Sequence, residues 1–506
     1  MILSRFNLRN IQSQEVSIPA DSVFDLPEKV LQFGTGVLLR GLPDYFIDKA
    51  NLRGVFNGRI IVVKSTSNGD SQSFDKQDGL YTQCIRGLEN GRKTEENIIN
   101  TSISRVLSAK NDWSEILKCA HNPHLQLIVS NTTEVGIQLV NDDINRYPPV
   151  SFPGKLLAFL LERYNAFAGS RQSGMVIVPT ELIVDNGKKL ESIVLELAHL
   201  NGLDDNFIQW LENSNYFCSS LVDRIVPGKP EAAERQRLEK QFGYSDELLT
   251  MSEAYRLWAI EGDDHIRSIL SFAEADEGVV IAPDINQYRE LKLRMLNGTH
   301  TLSCGLAWLA GFETVRQAME NADMQSFITD LMMHEIGSGI PYSIQDDAVQ
   351  EFGRKVLDRF CNPYIEHHWL SITTQYTSKM RMRNVPVIMK YIDSMNAVPD
   401  NMALGFAAYL LFLKPVRKKQ DKYYGEWQGK EYLVQDDYAA YYFEKWNKLS
   451  PTILVDEVLN DIALWGADIA APAFVEAVKE KLLSLQEQGV MKTIQTNKSK
   501  KVLAKI

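Results

Sequence analysis

The first half of the chain alternates short apolar runs with stretches of helical periodicity. The apolar runs are rich in β-branched residues or leucine, and they occupy residues 28–34, 58–64, 125–131 and 174–180. Uninterrupted runs of this length are typical of parallel strands that are buried on both faces. Between them, the segments LPDYFIDKANL and PGKLLAFLLERYNAFAG carry apolar residues at helical intervals. This alternation predicts a parallel sheet with crossover helices.

The pattern changes near residue 286, where strand-like runs give way to helical ones. Four later segments favour helix: RMLNGTHTLSCGLAWLAG, VQEFGRKVLDRF, NMALGFAAYLLFL and PAFVEAVKEKLLSLQEQG. A chain of 506 residues also exceeds the size of one hydrophobic core. We therefore predict an α/β domain with a parallel sheet over residues 1–285 and a mainly α-helical domain over residues 286–506.

Composition and charge narrow the class of protein. The chain is 44% hydrophobic and 24% charged, and no apolar run approaches the roughly 18 residues that span a bilayer. Its amino terminus lacks the apolar stretch of a secretory signal, so we expect a cytoplasmic protein without membrane insertion. The net charge of -11 disfavours nucleic-acid binding, because affinity for phosphate backbones needs clustered Lys and Arg. Five scattered cysteines predict neither a disulfide framework nor a zinc site. A monomer and a small homo-oligomer both stay open.

A glycine-rich turn follows the first predicted strand. Glycines at positions 34 and 36 permit a tight turn and let backbone N–H groups approach a pyrophosphate at the start of a helix. The third glycine of the full dinucleotide fingerprint is missing at its usual spacing. The alternative is therefore a pair of glycines that only shapes the turn. We predict a dinucleotide-binding site that consists of Phe33, Gly34, Thr35, Gly36, Val37 and Leu38.

The ends of two further strands bear on the cofactor. The second strand ends at Lys64, where NAD enzymes tend to have an acidic residue beside the adenosine ribose. A lysine could instead accept a 2′-phosphate, so NAD and NADP both stay open. The third strand is followed by Asn131, Thr132 and Glu134, and loops after parallel strands line the cofactor crevice. The alternative for this loop is an ordinary Asn- and Thr-rich turn.

A lysine, an amide and an imidazole occur close together in the helical segment LKLRMLNGTH, residues 291–300. On an α-helical wheel, which advances roughly 100° per residue, Lys292, Asn297 and His300 fall at roughly 0°, 140° and 80° and share one face. A partly desolvated lysine can accept a proton, an amide can stabilise negative charge on an oxygen, and histidine can orient a hydroxyl. These groups suit alcohol oxidation with a nicotinamide cofactor. The alternative is a lysine that extends to solvent, an asparagine that ends or kinks the helix, and a core histidine.

Seven motifs follow one another along nearly the whole chain: QFGTGVLLRG, QDGLYT, VSNTTEVGI, ELIVDNG, KLRMLNGTH, NPYIEHHWLSI and VQDD. As an ordered set they resemble the mannitol dehydrogenase family of polyol-specific long-chain dehydrogenases. The resemblance implies an N-terminal Rossmann-type domain that binds the dinucleotide and a helical C-terminal domain that binds substrate and carries the catalytic residues. It also implies NAD(H) as the usual cofactor and no catalytic metal.

The resemblance assigns roles to individual residues. The family's K-x4-N-x2-H motif falls on Lys292, Asn297 and His300. This implies Lys292 as general base, Asn297 as part of an oxyanion site and His300 as a substrate-orienting group. A second asparagine of the oxyanion site is placed at Asn186, in the segment ELIVDNG, with Glu181 as a neighbouring substrate contact.

The branch of the family that the chain resembles acts on six-carbon sugar acids. It implies NAD(H)-dependent interconversion of D-tagaturonate and D-altronate. A substrate carboxylate needs cations, and the segment TSKMRMRNVP offers Lys379, Arg381 and Arg383, since a guanidinium can bind a carboxylate through two hydrogen bonds. A basic, solvated helix face is the alternative for this segment.

The residues are also compatible with two other functions and with a metal site. A fructuronate or mannitol (fructose) reductase of the same family is one alternative function, and a catalytically inactive sugar-acid sensor is another. The run Glu366, His367 and His368 could mimic a metal site. Adjacent histidines on a helix point in different directions, so packing roles are preferred.

Overall fold

The computed structural model describes residues 1–65, 72–132 and 135–503. The chain divides into two compact units. The first comprises Met1–Gly87 with Lys93–Ile285, and the second comprises Leu88–Arg92 with Asn286–Ile506.

The first unit alternates strands and helices. Its strands are β1 (Glu28–Phe33), β2 (Arg59–Lys64), β3 (Tyr81–Glu89), β4 (Arg92–Asn100), β5 (Ile103–Ser108), β6 (Leu127–Ser130), β7 (Val176–Pro179), β8 (Tyr216–Phe217), β9 (Ser220–Asp223), β10 (Thr250–Glu253), β11 (Leu257–Glu261) and β12 (Val279–Ala282). Its α-helices are α1 (Val37–Gly41), α2 (Pro43–Leu52), α3 (Gln72–Lys76), α4 (Trp113–Cys119), α5 (Phe152–Ala166), α6 (Asn186–Leu200), α7 (Asp205–Ser214), α8 (Ala232–Phe242) and α9 (Asp264–Ile269). Short 3₁₀ helices cover Arg5–Asn10, Asp21–Asp25, Arg171–Ser173 and Ser271–Ala275.

Six of these strands form one parallel sheet in the order β5-β2-β1-β6-β7-β8. The chain starts in the middle of the sheet at β1, proceeds to β2 and β5 at one edge, and returns to β6 on the other side of β1. The direction of winding therefore reverses beside β1. In open α/β sheets, ligands bind outside the carboxyl ends of the strands at such a reversal.

Successive residues of the central strands contribute to two different hydrophobic cores. Val30 and Val62 pack in one core with Phe46 of α2 and Trp258 of β11. The neighbouring residue Leu31 packs in the other core, which also contains side chains of α4, α5, α6 and α7. A sheet buried on both faces requires apolar residues at every position, which explains why its strands are continuous apolar runs.

Two smaller sheets, ordered β10-β3-β4 and β12-β11-β9, accompany the parallel sheet. In the second of them, β11 pairs with β12 in parallel and with β9 antiparallel. Neither small sheet was predicted from the sequence pattern.

The second unit is mainly helical. Its α-helices are α10 (Asn286–Glu290), α11 (Thr299–Leu309), α12 (Val315–Glu320), α13 (Ala322–Asp330), α14 (Asp346–Phe360), α15 (Trp369–Ile372), α16 (Tyr376–Arg383), α17 (Val385–Met395), α18 (Asp400–Phe412), α19 (Ala439–Lys448), α20 (Pro451–Leu459), α21 (Ile462–Trp465), α22 (Pro472–Gln488) and α23 (Val490–Leu503). Two segments, Leu291–Gly298 and Leu331–Ile336, are π-helical, and Gly337–Gly339 is a 3₁₀ helix. The strands are β13 (Pro415–Lys419), β14 (Lys422–Trp427) and β15 (Lys430–Val434).

The helix α18 forms the centre of this unit, because every residue from Asn401 to Phe412 is buried. It lies close to α11: a Cβ atom at Gly405 would stand 2.6 Å from the carbonyl oxygen of Leu302. A side chain at this position would force the two helices apart, so the glycine permits the close packing that supports α11.

The predicted fold class is confirmed, since the amino-terminal part contains the parallel sheet and the carboxyl-terminal part is mainly helical. The four predicted strands correspond to β1, β2, β6 and β7. The antiparallel sheet β13-β14-β15 was not predicted, because its first strand exposes four of its five residues and lacks an apolar pattern. Within the described part of the chain, no helix is both long enough and apolar enough to cross a bilayer.

Candidate active site and nucleotide site

The glycine turn connects β1 to α1. Gly34 has a φ of +132°, and a Cβ atom there would lie 2.9 Å from Leu39 Cδ1 and 3.0 Å from the carbonyl oxygen of Asn131. Its N–H group donates to the carbonyl oxygen of Val63 (3.0 Å), and the N–H of Asn131 donates to that of Phe33 (3.1 Å). The turn is therefore bonded to the carboxyl ends of β1, β2 and β6, and only glycine fits at position 34.

The start of α1 is suited to a phosphate group. Gly36 precedes the helix, and among the described residues no side chain caps its amino terminus. A Cβ atom on Gly36 would meet nothing within 4 Å, so the backbone is open at this point. The first N–H groups of a helix, here at Val37 and Leu38, have no partner within the helix and attract anions. These predicted cofactor residues therefore fit the pyrophosphate of a dinucleotide.

Other predicted cofactor residues lie around this turn. Thr35 lies between the two glycines, and Lys64 is the last residue of β2, where it is partly buried. The loop after β6 is tied to the end of β7, because Asn131 Nδ2 donates to Thr180 Oγ1 (3.0 Å). Glu134 lies outside the described residues.

The carboxylate of Glu181 stabilises the same loop. It accepts hydrogen bonds from Ser130 Oγ (3.1 Å), from the N–H of Thr132 (2.8 Å) and from Thr132 Oγ1 (3.0 Å). Glu181 is 3% exposed. In this arrangement its carboxylate holds the post-β6 loop against β7, and its predicted contact with substrate stays a prediction.

Asn186 occupies the first turn of α6 and is fully buried. Its amide nitrogen donates to the carbonyl oxygens of Pro179 (3.1 Å), Glu181 (2.9 Å) and Ser220 (3.1 Å), and its amide oxygen accepts from the N–H of Ser220 (2.9 Å). Both amide hydrogens are therefore used by backbone carbonyls. The arrangement ties α6 to β7 and β9 and leaves no hydrogen for a substrate oxygen, so the predicted oxyanion role of Asn186 stays a prediction.

A buried carboxyl group lies beneath the glycine turn. Gln32 Nε2 is 3.4 Å from the carbonyl oxygen of Gly34 and 3.4 Å from Asp44 Oδ2. Asp44 is 0% exposed, and burial raises its pKa from 3.8 to about 8, while the hydrogen bond from Gln32 and the charge of Arg40 oppose the shift and Asp48 adds to it. Asp44 is therefore mainly a neutral acid at pH 7. Asp44 could not be recognised from the sequence, since an aspartate in a helix gives no local sign of its burial.

In the second unit, Lys292 and Asn297 lie in the π-helical segment Leu291–Gly298, while His300 lies in the first turn of α11. The α-helical wheel used for the prediction was wrong for this segment. In a π-helix the hydrogen bonds join residues i and i+5, so Asn297 lies one turn from Lys292. The two side chains are consequently closer in direction than an α-helix would allow. Both residues are partly buried.

The imidazole of His300 is 8% exposed and is packed among aromatic rings. Its ring stacks on Phe360 with centroids 4.3 Å apart and meets the edge of His367 at 5.0 Å and of Trp369 at 6.0 Å. Its Nε2 atom is buried and has no hydrogen-bond partner among the described residues. Burial lowers the pKa of His300 well below its usual range, so the ring is neutral at pH 7 and can use Nε2 for a ligand.

Three cations act on His300. After burial and His367, the charges of Arg359, Arg383 and Lys379 are further causes of its lowered pKa. The pKa of Lys379 is itself lowered by burial and then by Arg383. Arg359, which precedes Phe360 at the end of α14, was not among the predicted site residues. The one signal in the sequence that points to it is its position just before the NPYIEHHWLSI motif. Together these groups form a positively charged, partly buried region that favours an anion.

The three cations predicted on α16 do not act together. Lys379 and Arg383 are separated by one helical turn, and both influence His300. Arg383 Nη1 donates to Thr301 Oγ1 (3.1 Å), while its Nε atom has no partner among the described residues. Arg381 is exposed, and its guanidinium lies beside Gly466, where a Cβ atom would be 2.8 Å from Nη2. The structure therefore brings together Lys379 and Arg383 and directs Arg381 elsewhere.

In the described part of the chain, no group of three or more His, Cys, Asp or Glu side chains is arranged to hold a metal ion. His367 contacts the ring of His300. The parallel sheet with its glycine turn, and the helical unit with Lys292, Asn297 and His300, are the features expected of a dinucleotide-binding oxidoreductase.

Comparison with known protein families identifies the family to which the chain belongs. The mannitol dehydrogenase Rossmann domain matches residues 28–270, and the mannitol dehydrogenase C-terminal domain matches residues 284–486. The chain therefore belongs to the mannitol dehydrogenase family and is an oxidoreductase of that family.

Curated relatives are similar over most of the chain. An altronate oxidoreductase of Bacillus subtilis (strain 168) is 37% identical, with 94% of this chain and 96% of the relative covered. An altronate oxidoreductase of Klebsiella pneumoniae (strain 342) is also 37% identical, with 93% of this chain and 96% of the relative covered.

Two solved structures share the fold. A D-sorbitol dehydrogenase in substrate-free form has a TM-score of 0.79 at 20% identity and covers 98% of this chain and 100% of its own. The Pseudomonas fluorescens mannitol 2-dehydrogenase, in a ternary complex with NAD and D-mannitol, has a TM-score of 0.67 at 21% identity and covers 98% of this chain and 99% of its own.

Proposed function

We propose that the protein catalyses the NAD(H)-dependent interconversion of D-tagaturonate and D-altronate, with Lys292 as the general acid and base. The observation that carries this proposal is the group of cations around the neutral His300. The name of the curated relatives, altronate oxidoreductase, agrees with it.

The cations favour a sugar acid over a neutral polyol. Lys379 and Arg383 are partly buried, and burial lowers the pKa of both, so their charges are costly without a counter-ion. A substrate carboxylate would offset this cost and accept charge-assisted hydrogen bonds, whereas a neutral polyol offers only hydroxyl groups. We assign the carboxylate to Lys379 and Arg383, with Arg359 adding positive charge nearby.

A bound nicotinamide would supply or accept the hydride. In the direction of ketone reduction, Lys292 as its ammonium form donates a proton to the oxygen that becomes the hydroxyl, and in the oxidation it accepts this proton. The amide of Asn297 donates a hydrogen bond to the same oxygen and stabilises its negative charge. Because His300 is neutral, its ring has one donor and one acceptor nitrogen, which allows it to orient a substrate hydroxyl.

The nucleotide is assigned to the first unit. Its pyrophosphate would be bound by backbone N–H groups between Thr35 and Leu38, at the open start of α1. We propose NAD as the cofactor, and NADP is the alternative because Lys64, at the end of β2, could pair with a 2′-phosphate.

The substrate is tested by measuring NADH oxidation with D-tagaturonate, D-fructuronate and D-fructose side by side. We expect the highest kcat/KM with D-tagaturonate. A clear preference for D-fructuronate or D-fructose would reject this substrate and favour the corresponding reductase of the same family. No turnover with any of the three, together with retained binding of the sugar acid, would favour a catalytically inactive sensor.

The role of Lys292 is tested separately with Lys292→Ala. We expect kcat to fall by roughly two to four orders of magnitude, the usual contribution of general acid–base catalysis, while the affinity for NADH stays close to that of the parent. Lys390→Ala removes an exposed lysine on α17 and is the matched control. Ordinary turnover in Lys292→Ala would reject the assigned base.

A further inference from the structure

The alignment of Lys292 with Asn297 depends on the π-helical form of the segment Leu291–Gly298. These two residues are five positions apart, which is one hydrogen-bonded turn of a π-helix. In an α-helix the same spacing would place the side chains of Lys292 and Asn297 roughly 140° apart around the helix axis. π-helices are rare and occur mostly as short segments at functional sites. Contacts that maintain this form would therefore determine whether both side chains reach one oxygen atom.

Arg294 connects the middle of the π-helical segment to the end of α16. Its Nη1 atom donates to the carbonyl oxygens of Met382 (2.6 Å) and Arg383 (2.9 Å). The last carbonyls of a helix have no partner within the helix, so Arg294 caps α16. Its Nε atom donates to Glu290 Oε2 (2.9 Å), and its side chain is 9% exposed. The guanidinium is thus fixed from both sides.

A second connection runs in the opposite direction. Asn384, the residue after α16, is fully buried, and its Nδ2 atom donates to the carbonyl oxygen of Gly298 (3.1 Å). The hydroxyl of Thr301 donates to the carbonyl oxygen of Asn297 (2.8 Å). The last two carbonyls of the π-helical segment are therefore bonded to side chains. These hydrogen bonds stabilise a π-helical backbone, in which the carbonyl groups do not accept the i+4 hydrogen bonds of an α-helix.

We propose that Arg294 and Asn384 are positioning residues that hold the segment Leu291–Gly298 in its π-helical form and thereby align Lys292 with Asn297. The inference rests on the proposed catalytic role of Lys292. Neither positioning residue needs to touch the substrate, because both act through backbone carbonyls. Arg294 donates to carbonyls at the end of α16, and Asn384 donates to the carbonyl at the end of the π-helical segment. Loss of either connection allows the segment to relax toward an α-helix, in which the side chains of Lys292 and Asn297 would point roughly 140° apart around the helix axis.

The test compares Arg294→Met, Arg294→Lys and Asn384→Ala with the parent in D-tagaturonate reduction. A displacement of about 1 Å in a catalytic group can cost roughly 100-fold in rate, so we expect kcat to fall by roughly 10- to 100-fold in Arg294→Met and in Asn384→Ala. The KM for NADH should stay close to the parent value, and the pH profile of kcat should shift, because the proton-transferring lysine loses its amide neighbour. Arg294→Lys should recover part of the rate. Arg354→Met removes an exposed arginine on α14 and is the control.

A purely structural role would lower the melting temperature without moving the pH profile, and this result would overturn the proposal. Because Arg294→Met could fail to fold, the decision rests on Asn384→Ala, which removes a single neutral hydrogen bond. A crystal structure of Asn384→Ala that retains the π-helical segment, together with parent kcat, would also overturn it. If Lys292→Ala keeps ordinary turnover, the proposed function fails instead. Parent activity in the positioning variants with an inactive Lys292→Ala rejects only the inference about positioning.

Discussion

The substitution Asp44→Asn tests whether the carboxyl group beneath the glycine turn is protonated in the folded protein. Asparagine has nearly the same shape as aspartic acid but carries no titratable proton. Asp44 is fully buried, and burial raises its pKa from 3.8 to about 8. We therefore expect the stability difference between the variant and the parent to depend on pH.

The sign of this dependence follows from the direction of the shift. Between about pH 4 and pH 8, the folded parent holds a proton on Asp44 that the unfolded chain releases. The contribution of this proton to the free energy of unfolding is fully present below about pH 4 and is lost as pH rises toward about 8. One proton corresponds to about 1.4 kcal/mol per pH unit. From pH 5 to pH 7.5 the free energy of unfolding of the parent therefore falls by about 3 kcal/mol, and that of Asp44→Asn lacks this decrease.

The assay is thermal unfolding of both proteins at several pH values from about 5 to 7.5. The melting temperature of the variant minus that of the parent should increase steadily with pH. Asp75→Asn, which changes an exposed carboxylate on α3, is the control and should show no such trend. Infrared spectra should also show a carboxylic-acid band in the parent that is absent in Asp44→Asn. A melting-temperature difference that stays constant with pH would refute a protonated Asp44.

Three further predictions concern the candidate site residues. Asn186→Ala should lower the melting temperature more than Asn297→Ala does, because it removes the four hydrogen bonds of the buried Asn186 amide. Asn297→Ala should instead cause the larger fall in kcat. An equal loss of kcat in both variants would support an oxyanion role for Asn186. Arg383→Met should raise the KM for the sugar acid roughly 10- to 100-fold, since a hydrogen bond to a charged group contributes about 1.5–3 kcal/mol, and an unchanged KM would contradict the assigned carboxylate site. Lys64→Glu should shift cofactor preference toward NADH in paired titrations with NADH and NADPH; an unchanged ratio of the two affinities would exclude a contact between Lys64 and the ribose.

The sequence by itself determined the parallel sheet and the position of the glycine turn. Strands buried on both faces must be apolar at every position, so β1, β2, β6 and β7 appear as continuous runs that local analysis recognises. The turn requires a glycine at position 34, because a φ of +132° and close contact with neighbouring atoms leave no room for a side chain. A required glycine is visible in the sequence, so the turn could be identified from it. The spacing of Lys292, Asn297 and His300 was equally visible, since the three residues lie within nine positions of one another.

Only the tertiary structure decided the form and the electrostatics of the candidate active site. The π-helical segment is bonded to α16, about 90 positions along the chain, and no local pattern encodes this partner. Burial against Phe360 and neighbouring rings, followed by the charges of His367 and of the cations on α14 and α16, lowers the pKa of His300. Arg381 and Arg383 are two positions apart in sequence, yet helical geometry directs them to different surroundings. Burial and charge at a site depend on residues that packing brings together, and for this reason the sequence pattern identified the reactive groups but not their environment.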